Sequence, residues 1–134
     1  MLFTREFNVG AATAPLTMNL AQALENERIE HVPGQGIPIV LYRGGDRVTA
    51  FSCRGANARL NLTDPKQLQL EIPPHANPVQ YKLLLWSGPE QDLEKFTKLA
   101  KSSPDTKDLK PLTRPGSPQW TADITTKGLL NTEH

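Results

Sequence analysis

The chain has 134 residues, which is enough for one domain with a single hydrophobic core. Fifteen lysine and arginine residues are balanced by fourteen aspartate and glutamate residues, so a formal net charge of +1 provides no strong field for attracting nucleic acid. One cysteine excludes an internal disulfide and a Cys–Cys metal site, and no run of residues approaches the roughly 18 apolar positions of a membrane-spanning helix.

Short alternating runs predict strands near the start of the chain. Residues 2–9 and 16–20 alternate apolar with polar side chains, the pattern of strands with one buried face. Residues 21–28 contain good helix formers and could form one helical turn, although so short a run is marginal alone. Residues 31–36 are rich in glycine and proline, which indicates a turn.

The middle of the chain contains the clearest hairpin. Residues 37–43 and 46–53 are two apolar-rich runs, and Gly44-Gly45 between them can supply the positive φ values of a tight turn. Two further alternating runs follow at residues 58–62 and 68–72. Each of these four runs is predicted to be a strand.

Val79–Gly88 is the most strand-like stretch of the sequence. Val79, Tyr81, Leu83 and Leu85 alternate on one face, while Leu84 and Trp86 make the other face apolar as well. A strand that is apolar on both faces is typical of the centre of a sheet that is covered on both sides. We therefore expect Trp86 to be a core residue rather than part of a ligand surface.

A helix is predicted directly after this strand, from Pro89 to Ser102. Ser87 and Glu90 have the spacing of a capping box, and Pro89 falls in the first turn, where proline is tolerated. One apolar stripe is predicted to face the core. Its members are Leu93, Phe96, Leu99 and Ala100.

The predicted fold class is mainly β: an antiparallel sandwich of two packed sheets with about six or seven strands and one C-terminal helix. Residues 1–103 form this domain, and residues 104–134 are predicted to be an extended, proline-rich linker or the lead-in to a further domain. Whether the sandwich is complete stays open, because a strand at residue 2 is an abrupt start and Met1 could be internal to a longer protein. Trp120 is the tail residue expected to dock on another surface.

Neither the histidines nor the cysteine predicts a catalytic or metal site. His31, His75 and His134 lie far apart in the sequence, without a partner at ligand spacing, so we predict no metal and no cofactor. Cys53 ends a predicted strand, where a small buried side chain is the common role. The alternative is a small enzyme with Cys53 as nucleophile, which would need His31 or His75 nearby as its base.

Three aromatic residues on predicted strands, Tyr42, Tyr81 and Trp86, could instead form a ligand surface. Such side chains can stack on sugar rings, so a carbohydrate-binding module with a polysaccharide partner is a second alternative. Burial in the core is the simpler interpretation, since aromatic residues on strands are usually buried.

Three stretches also resemble one segment of large secreted bacterial proteins: residues 3–16, residues 83–89 and residues 112–130. In that family a domain of unknown function precedes a β-propeller similar to quinoprotein sugar dehydrogenases and a c-type cytochrome domain. The resemblance spans most of the chain and is looser in the central part. The stretch from Trp120 to Gly128 resembles the lead-in to the propeller.

The family's redox chemistry does not accompany this segment. Its haem requires a Cys-x-x-Cys-His motif, whereas the chain has a single cysteine, and its propeller would follow the last quoted stretch. The resemblance therefore implies a non-catalytic accessory domain whose partners are the neighbouring propeller or cytochrome domain, with Trp120 as an interdomain contact. It also implies a periplasmic or extracellular location, although residues 1–7 lack the pattern of a signal peptide.

Overall fold

A computed structural model describes residues 1–55, 57–64, 66–104, 106, 109 and 111 of the chain. The described part consists of eight strands, a 3₁₀ turn at Glu90–Asp92 and one α-helix. The elements are β1 (Leu2–Val9), β2 (Leu16–Gln22), β3 (Arg28–His31), β4 (Ile39–Gly44), β5 (Arg47–Arg54), β6 (Arg59–Asp64), β7 (Gln67–Ile72), β8 (Val79–Gly88) and α1 (Leu93–Ser102).

The strands form two antiparallel sheets, which confirms the predicted fold class. The five-stranded sheet has the order β1-β8-β5-β4-β3, and the three-stranded sheet has the order β2-β7-β6. Strand β8 therefore lies between the first strand of the chain and the fifth. Its register places Phe7 opposite Tyr81 on one side and Phe51 opposite Leu85 on the other.

The main hydrophobic core lies between the two sheets. Alternate residues of each strand point into it, as strand geometry requires. The three-stranded sheet contributes the sandwich-facing side chains of Leu60, Leu68, Leu70 and Ile72. The five-stranded sheet contributes Ile29, Val40, Phe51, Cys53 and Tyr81.

A second core lies on the opposite face of the five-stranded sheet, under α1. Phe96 and Ala100 of the helix are fully buried there against the sheet. The ring of Phe96 stacks on Trp86 of β8, with ring centroids 6.0 Å apart. The protein thus has three layers, and β8 is buried on both faces, as its sequence predicts.

The hairpin between β4 and β5 is confirmed, with one difference at its turn. Gly44 still belongs to β4 and pairs with Arg47, so the loop consists of Gly45 and Asp46. Gly45 alone adopts the positive φ, at 67°. A positive φ at the first loop position is what glycine supplies in a two-residue hairpin.

Strand β3 was not predicted, and residues 21–28 do not form a helical turn. Burial explains both differences, because Ile29 packs into the core between the sheets and pairs with Tyr42 of β4. Ala23 is also buried, and its amide donates to the carbonyl of Lys66, 2.6 Å away. Tertiary contacts therefore override the local helix propensity.

The predicted start of the helix is wrong. Ser87 is still part of β8, and no side chain caps the 3₁₀ turn or the helix. Glu90 instead forms an ion pair with Arg43 of β4, at 2.6 Å. The strand continues to Gly88 because both of its neighbours offer backbone partners there, which removes Ser87 from a capping position.

The predicted apolar stripe of the helix is partly wrong. Leu99 is 49% exposed, whereas Thr97 is buried beside Phe96. Position i+6 lies about 240° around the helix from Leu93, while positions i+3, i+4 and i+7 lie close to one line. The tail predicted for residues 104–134 lies almost entirely outside the described residues.

Candidate functional site

The aromatic residues proposed as a ligand surface do not share one exposed face. Tyr81 is 2% exposed and stacks on Phe7, with ring centroids 4.6 Å apart in the core between the sheets. Tyr42 packs against the same core, and its hydroxyl donates to the carboxylate of Glu27. Trp86, at 8% exposure, lies on the other face of the sheet, under the helix, which confirms it as a core residue.

Cys53, the other residue considered for chemistry, lies in the interior of the protein. It is buried in the core between the sheets, and its thiol lies 3.5 Å from the carbonyl oxygen of Ala58. Burial raises the pKa of this thiol to about 11, so the nucleophilic thiolate is scarce near neutral pH. Neither candidate base bonds to it: His31 is exposed on β3, and the ring of His75 contacts the carbonyls of Pro73 and Gly10.

No metal-ligating cluster of three or more His, Cys, Asp or Glu residues occurs in the part of the chain that the structure describes. His134 and Trp120 lie outside that part, so their predicted roles stay predictions.

The most unusual polar residue of the described structure is Lys82, in the middle of β8. Its side chain points to the helix face of the sheet, and the residue is only 3% exposed. Its ammonium group lies 3.0 Å from the carboxylate of Glu6, directly opposite on β1. It also donates to the carbonyl oxygen of Pro104, 2.7 Å away. A buried lysine is rare unless it is paired in this way.

A second cation from the same sheet face holds the end of the helix. Arg54 of β5 lies opposite Lys82 in the register, and its guanidinium donates to the carbonyls of Lys101, at 2.5 Å, and Ser103. The last carbonyls of a helix lack partners within the helix and carry partial negative charge. Arg54 and Lys82 therefore satisfy the acceptors where the chain leaves α1.

We refer to Glu6, Arg54 and Lys82, with the carbonyls of Lys101, Ser103 and Pro104, as the exit clamp. Beyond the clamp, the hydroxyl of Thr106 lies 3.4 Å from the side-chain oxygen of Gln80, near the start of β8.

Residue 1 is attached at the other end of the same strand. The amino group of Met1 donates to the carbonyl of Ser87, at 3.1 Å, and the Ser87 amide donates to the carbonyl of Met1, at 3.2 Å. Ser87 lies seven positions after Gln80 along the strand, a span of roughly 23 Å at about 3.3 Å per residue. The body therefore holds residues 1 and 106 near opposite ends of one central strand.

An apolar ledge lies beside this strand, on β1, the outermost strand of the larger sheet in the described structure. Phe3 is 54% exposed and, with Leu83 and Leu85, lines a cavity of about 290 Å³ next to Arg5. Exposed apolar surface of this kind is typical of contact surfaces.

These contacts hold the end of the helix and residue 1 against the sheet. In the exit clamp the Lys82 ammonium faces the Glu6 carboxylate and the Pro104 carbonyl, and the Arg54 guanidinium faces the carbonyls of Lys101 and Ser103. One feature of the sequence points to the clamp. Lys82 is the only charged residue of Val79–Trp86, and a lysine within a doubly buried strand requires a partner.

Comparison of the chain with protein families, with curated proteins and with solved structures found no match. In the described part of the chain, no helix is both long and apolar enough to cross a membrane.

Proposed function

We propose that this protein is a non-catalytic accessory β-domain that positions the domains adjoining it in a larger secreted protein. The sequence resemblance supplies the identity of those neighbours: a β-propeller similar to sugar dehydrogenases and a c-type cytochrome domain. The proposed location is therefore periplasmic or extracellular.

The observation that supports this role most directly is the exit clamp. It ties Lys101, Ser103 and Pro104 to the sheet through two buried or half-buried cations, while Met1 is tied to Ser87 at the far end of β8. A domain that holds the chain at the end of its helix fixes the direction in which the chain leaves toward the domain that follows. A freely jointed linker would not do so.

The apolar ledge at Phe3 gives such a neighbour a surface to contact. Contacts between domains of one chain resemble transient protein interfaces, and they use exposed apolar groups of this kind. In this proposal the ledge orients one neighbouring domain, and the exit clamp sets the direction in which the chain continues.

The proposal is tested on the protein as its source organism makes it. An antibody raised against residues 1–104 would identify the natural product on a gel, which is then stained for covalently bound haem, and the intact mass is measured. We expect a haem-positive product several times larger than the 14.8 kDa of this chain. A haem-free product with the mass of this chain alone would contradict the proposal.

The competing functions need separate tests. Retention of the purified chain on insoluble polysaccharide, lost in Trp86→Ala at matched folded fraction, would favour carbohydrate binding. Turnover of a substrate that is abolished in Cys53→Ala would favour an enzyme. Both results are unexpected, since Trp86 is buried under the helix and the Cys53 thiol lies in the core.

A further inference from the structure

Two loops carry the chain between the sheets at the same end of the sandwich. Residues 10–15 connect β1 of the five-stranded sheet to β2 of the three-stranded sheet, and residues 73–78 connect β7 back to β8. The loops are joined by an isolated antiparallel bridge. The Ala12 amide donates to the His75 carbonyl at 2.9 Å, and the His75 amide donates to the Ala12 carbonyl at 2.8 Å.

The side chain of His75 adds two contacts to this bridge. Its Nδ1 lies 2.8 Å from the carbonyl oxygen of Pro73, and its Nε2 lies 2.8 Å from the carbonyl oxygen of Gly10. A carbonyl oxygen can only accept a hydrogen bond, so both ring nitrogens must donate for both contacts to be favourable. Neutral imidazole carries one N–H group, whereas the imidazolium ion carries two.

We propose that His75 is a proton-operated clasp between the two sheet-connecting loops. With its ring protonated, His75 donates to Gly10 across the loops and to Pro73 within its own loop. When the ring loses a proton, one bare nitrogen faces a carbonyl oxygen, and that contact becomes repulsive. The neutral ring can donate to only one of the two carbonyls, so it loses either the contact across the loops or the contact that holds the ring within its own loop. The clasp is therefore tighter in acid than in base.

The titratable side chains near this ring are few. Residues 10–15 and 73–78 contain no other titratable side chain, and the described residues include no ion pair to His75. The titratable groups within four residues of the loops, on the strands that flank them, are Glu6, Glu71, Tyr81 and Lys82. Glu6 and Lys82 pair with each other, the Glu71 carboxylate accepts from Asn61, and Tyr81 is buried in the core.

The test is amide hydrogen exchange followed by NMR on the whole chain between pH 5.5 and 7.5. This interval lies above the titration of ordinary carboxylates and spans that of histidine side chains. Protection factors, which remove the intrinsic pH dependence of exchange, are measured for the bridge amides of Ala12 and His75. The reference is Leu84, in the centre of the sheet.

We expect the protection of Ala12 relative to Leu84 to fall by about three- to tenfold as the pH rises through this interval, the size of one lost hydrogen bond. In His75→Gln this fall should disappear, because glutamine does not titrate. The matched control is His31→Gln, which changes an exposed histidine on β3 and should behave as wild type.

The proposal would be overturned if the protection of Ala12 relative to Leu84 stays constant with pH in the wild type. It would also be overturned if this relative protection falls equally in His75→Gln. If His75→Gln does not fold, the exchange measurements on the wild type and on His31→Gln still test the proposal. A fall confined to the bridge amides in both proteins supports the clasp, and a uniform or absent change contradicts it.

Discussion

Lys82 of β8 and Glu6 of β1 lie opposite each other in the sheet, with their charged groups 3.0 Å apart on the face that α1 covers. Glu6→Gln keeps the shape of the side chain and removes its charge. We expect a loss of about 1–3 kcal/mol in the free energy of unfolding, because a nearly buried ammonium then faces a weaker acceptor. Urea denaturation of the variant and the wild type measures this loss of stability. Glu94→Gln, which removes an exposed ion pair with Lys98, should change stability by less than about 0.5 kcal/mol.

Loss of the Arg54 contacts should loosen the end of the helix without unfolding the body. In Arg54→Met, the carbonyls of Lys101 and Ser103 lose a charged donor. Limited digestion with trypsin should then cleave after Lys101 about tenfold faster than in the wild type, as the loss of 1.4 kcal/mol of local protection implies. Lys95→Met removes only the exposed pair with Asp92 and serves as the control. Equal cleavage rates in all three proteins would show that Arg54 does not hold this segment.

The helix should depend on Phe96 and not on Leu99. Phe96 is fully buried against Trp86, so Phe96→Ala is expected to lower the free energy of unfolding by about 3–5 kcal/mol. Leu99 is half-exposed, and Leu99→Ala should cost less than about 1 kcal/mol. Chemical denaturation of the two variants measures the difference. Similar losses would mean that the helix packs on the sheet in another rotation.

The thiol of Cys53 should be nearly inert in the folded protein. Because burial raises its pKa to about 11, the thiolate fraction at pH 8 is about a hundredfold below that of a free cysteine, before steric shielding is counted. Alkylation by iodoacetamide, followed by mass spectrometry, should be at least that much slower in buffer than in guanidinium chloride. Comparable alkylation rates in the two solvents would make Cys53 a candidate nucleophile again.

Acid should destabilise the protein through Glu27. The Tyr42 hydroxyl and the Leu24 amide both donate to its carboxylate and lower its pKa below the usual 4.5. A carboxyl whose pKa is depressed by folding stabilises the folded state above its unfolded pKa, and that stability is lost as the pH falls through the folded value. Unfolding between pH 6 and pH 3 should therefore be less pH-dependent in Glu27→Gln than in the wild type. An unchanged dependence would exclude this linkage.

Much of the fold follows from local patterns in the sequence. The alternation of residues 2–9 and 68–72 predicts their strands, and Val79–Gly88 is recognisable as a doubly buried strand. Strand β3 escaped prediction because only one of its four residues, Ile29, is buried, so it has no periodic pattern to detect. Its place in the sheet depends on pairing with β4, which lies outside any local window.

The candidate site was harder to predict because its chemistry lies largely in the backbone. The exit clamp joins Arg54 and Lys82 to carbonyl groups of residues about 20 to 50 positions away, and a carbonyl has no sequence signature. The Ser87–Glu90 capping box failed for a related reason. Its local spacing is correct, yet Arg43 of β4, two strands away from β8 in the sheet, pairs with the same carboxylate. Residue types indicate which side chain will bind a given carbonyl or carboxylate only when the strand order is known.

The position of β8 also sets the order in which the protein can be completed during synthesis. Strands β1 and β5 reach each other only through β8, so a ribosome that has released residues 1–78 has made seven described strands but cannot close the larger sheet. Until then the nascent chain exposes the edge of β5 and leaves β1 without its partner, a state prone to association with other chains. Pairing residues some eighty positions apart is also slow. The larger sheet can therefore close only after β8 has been made, although the smaller sheet and the pairing of β3, β4 and β5 do not require it.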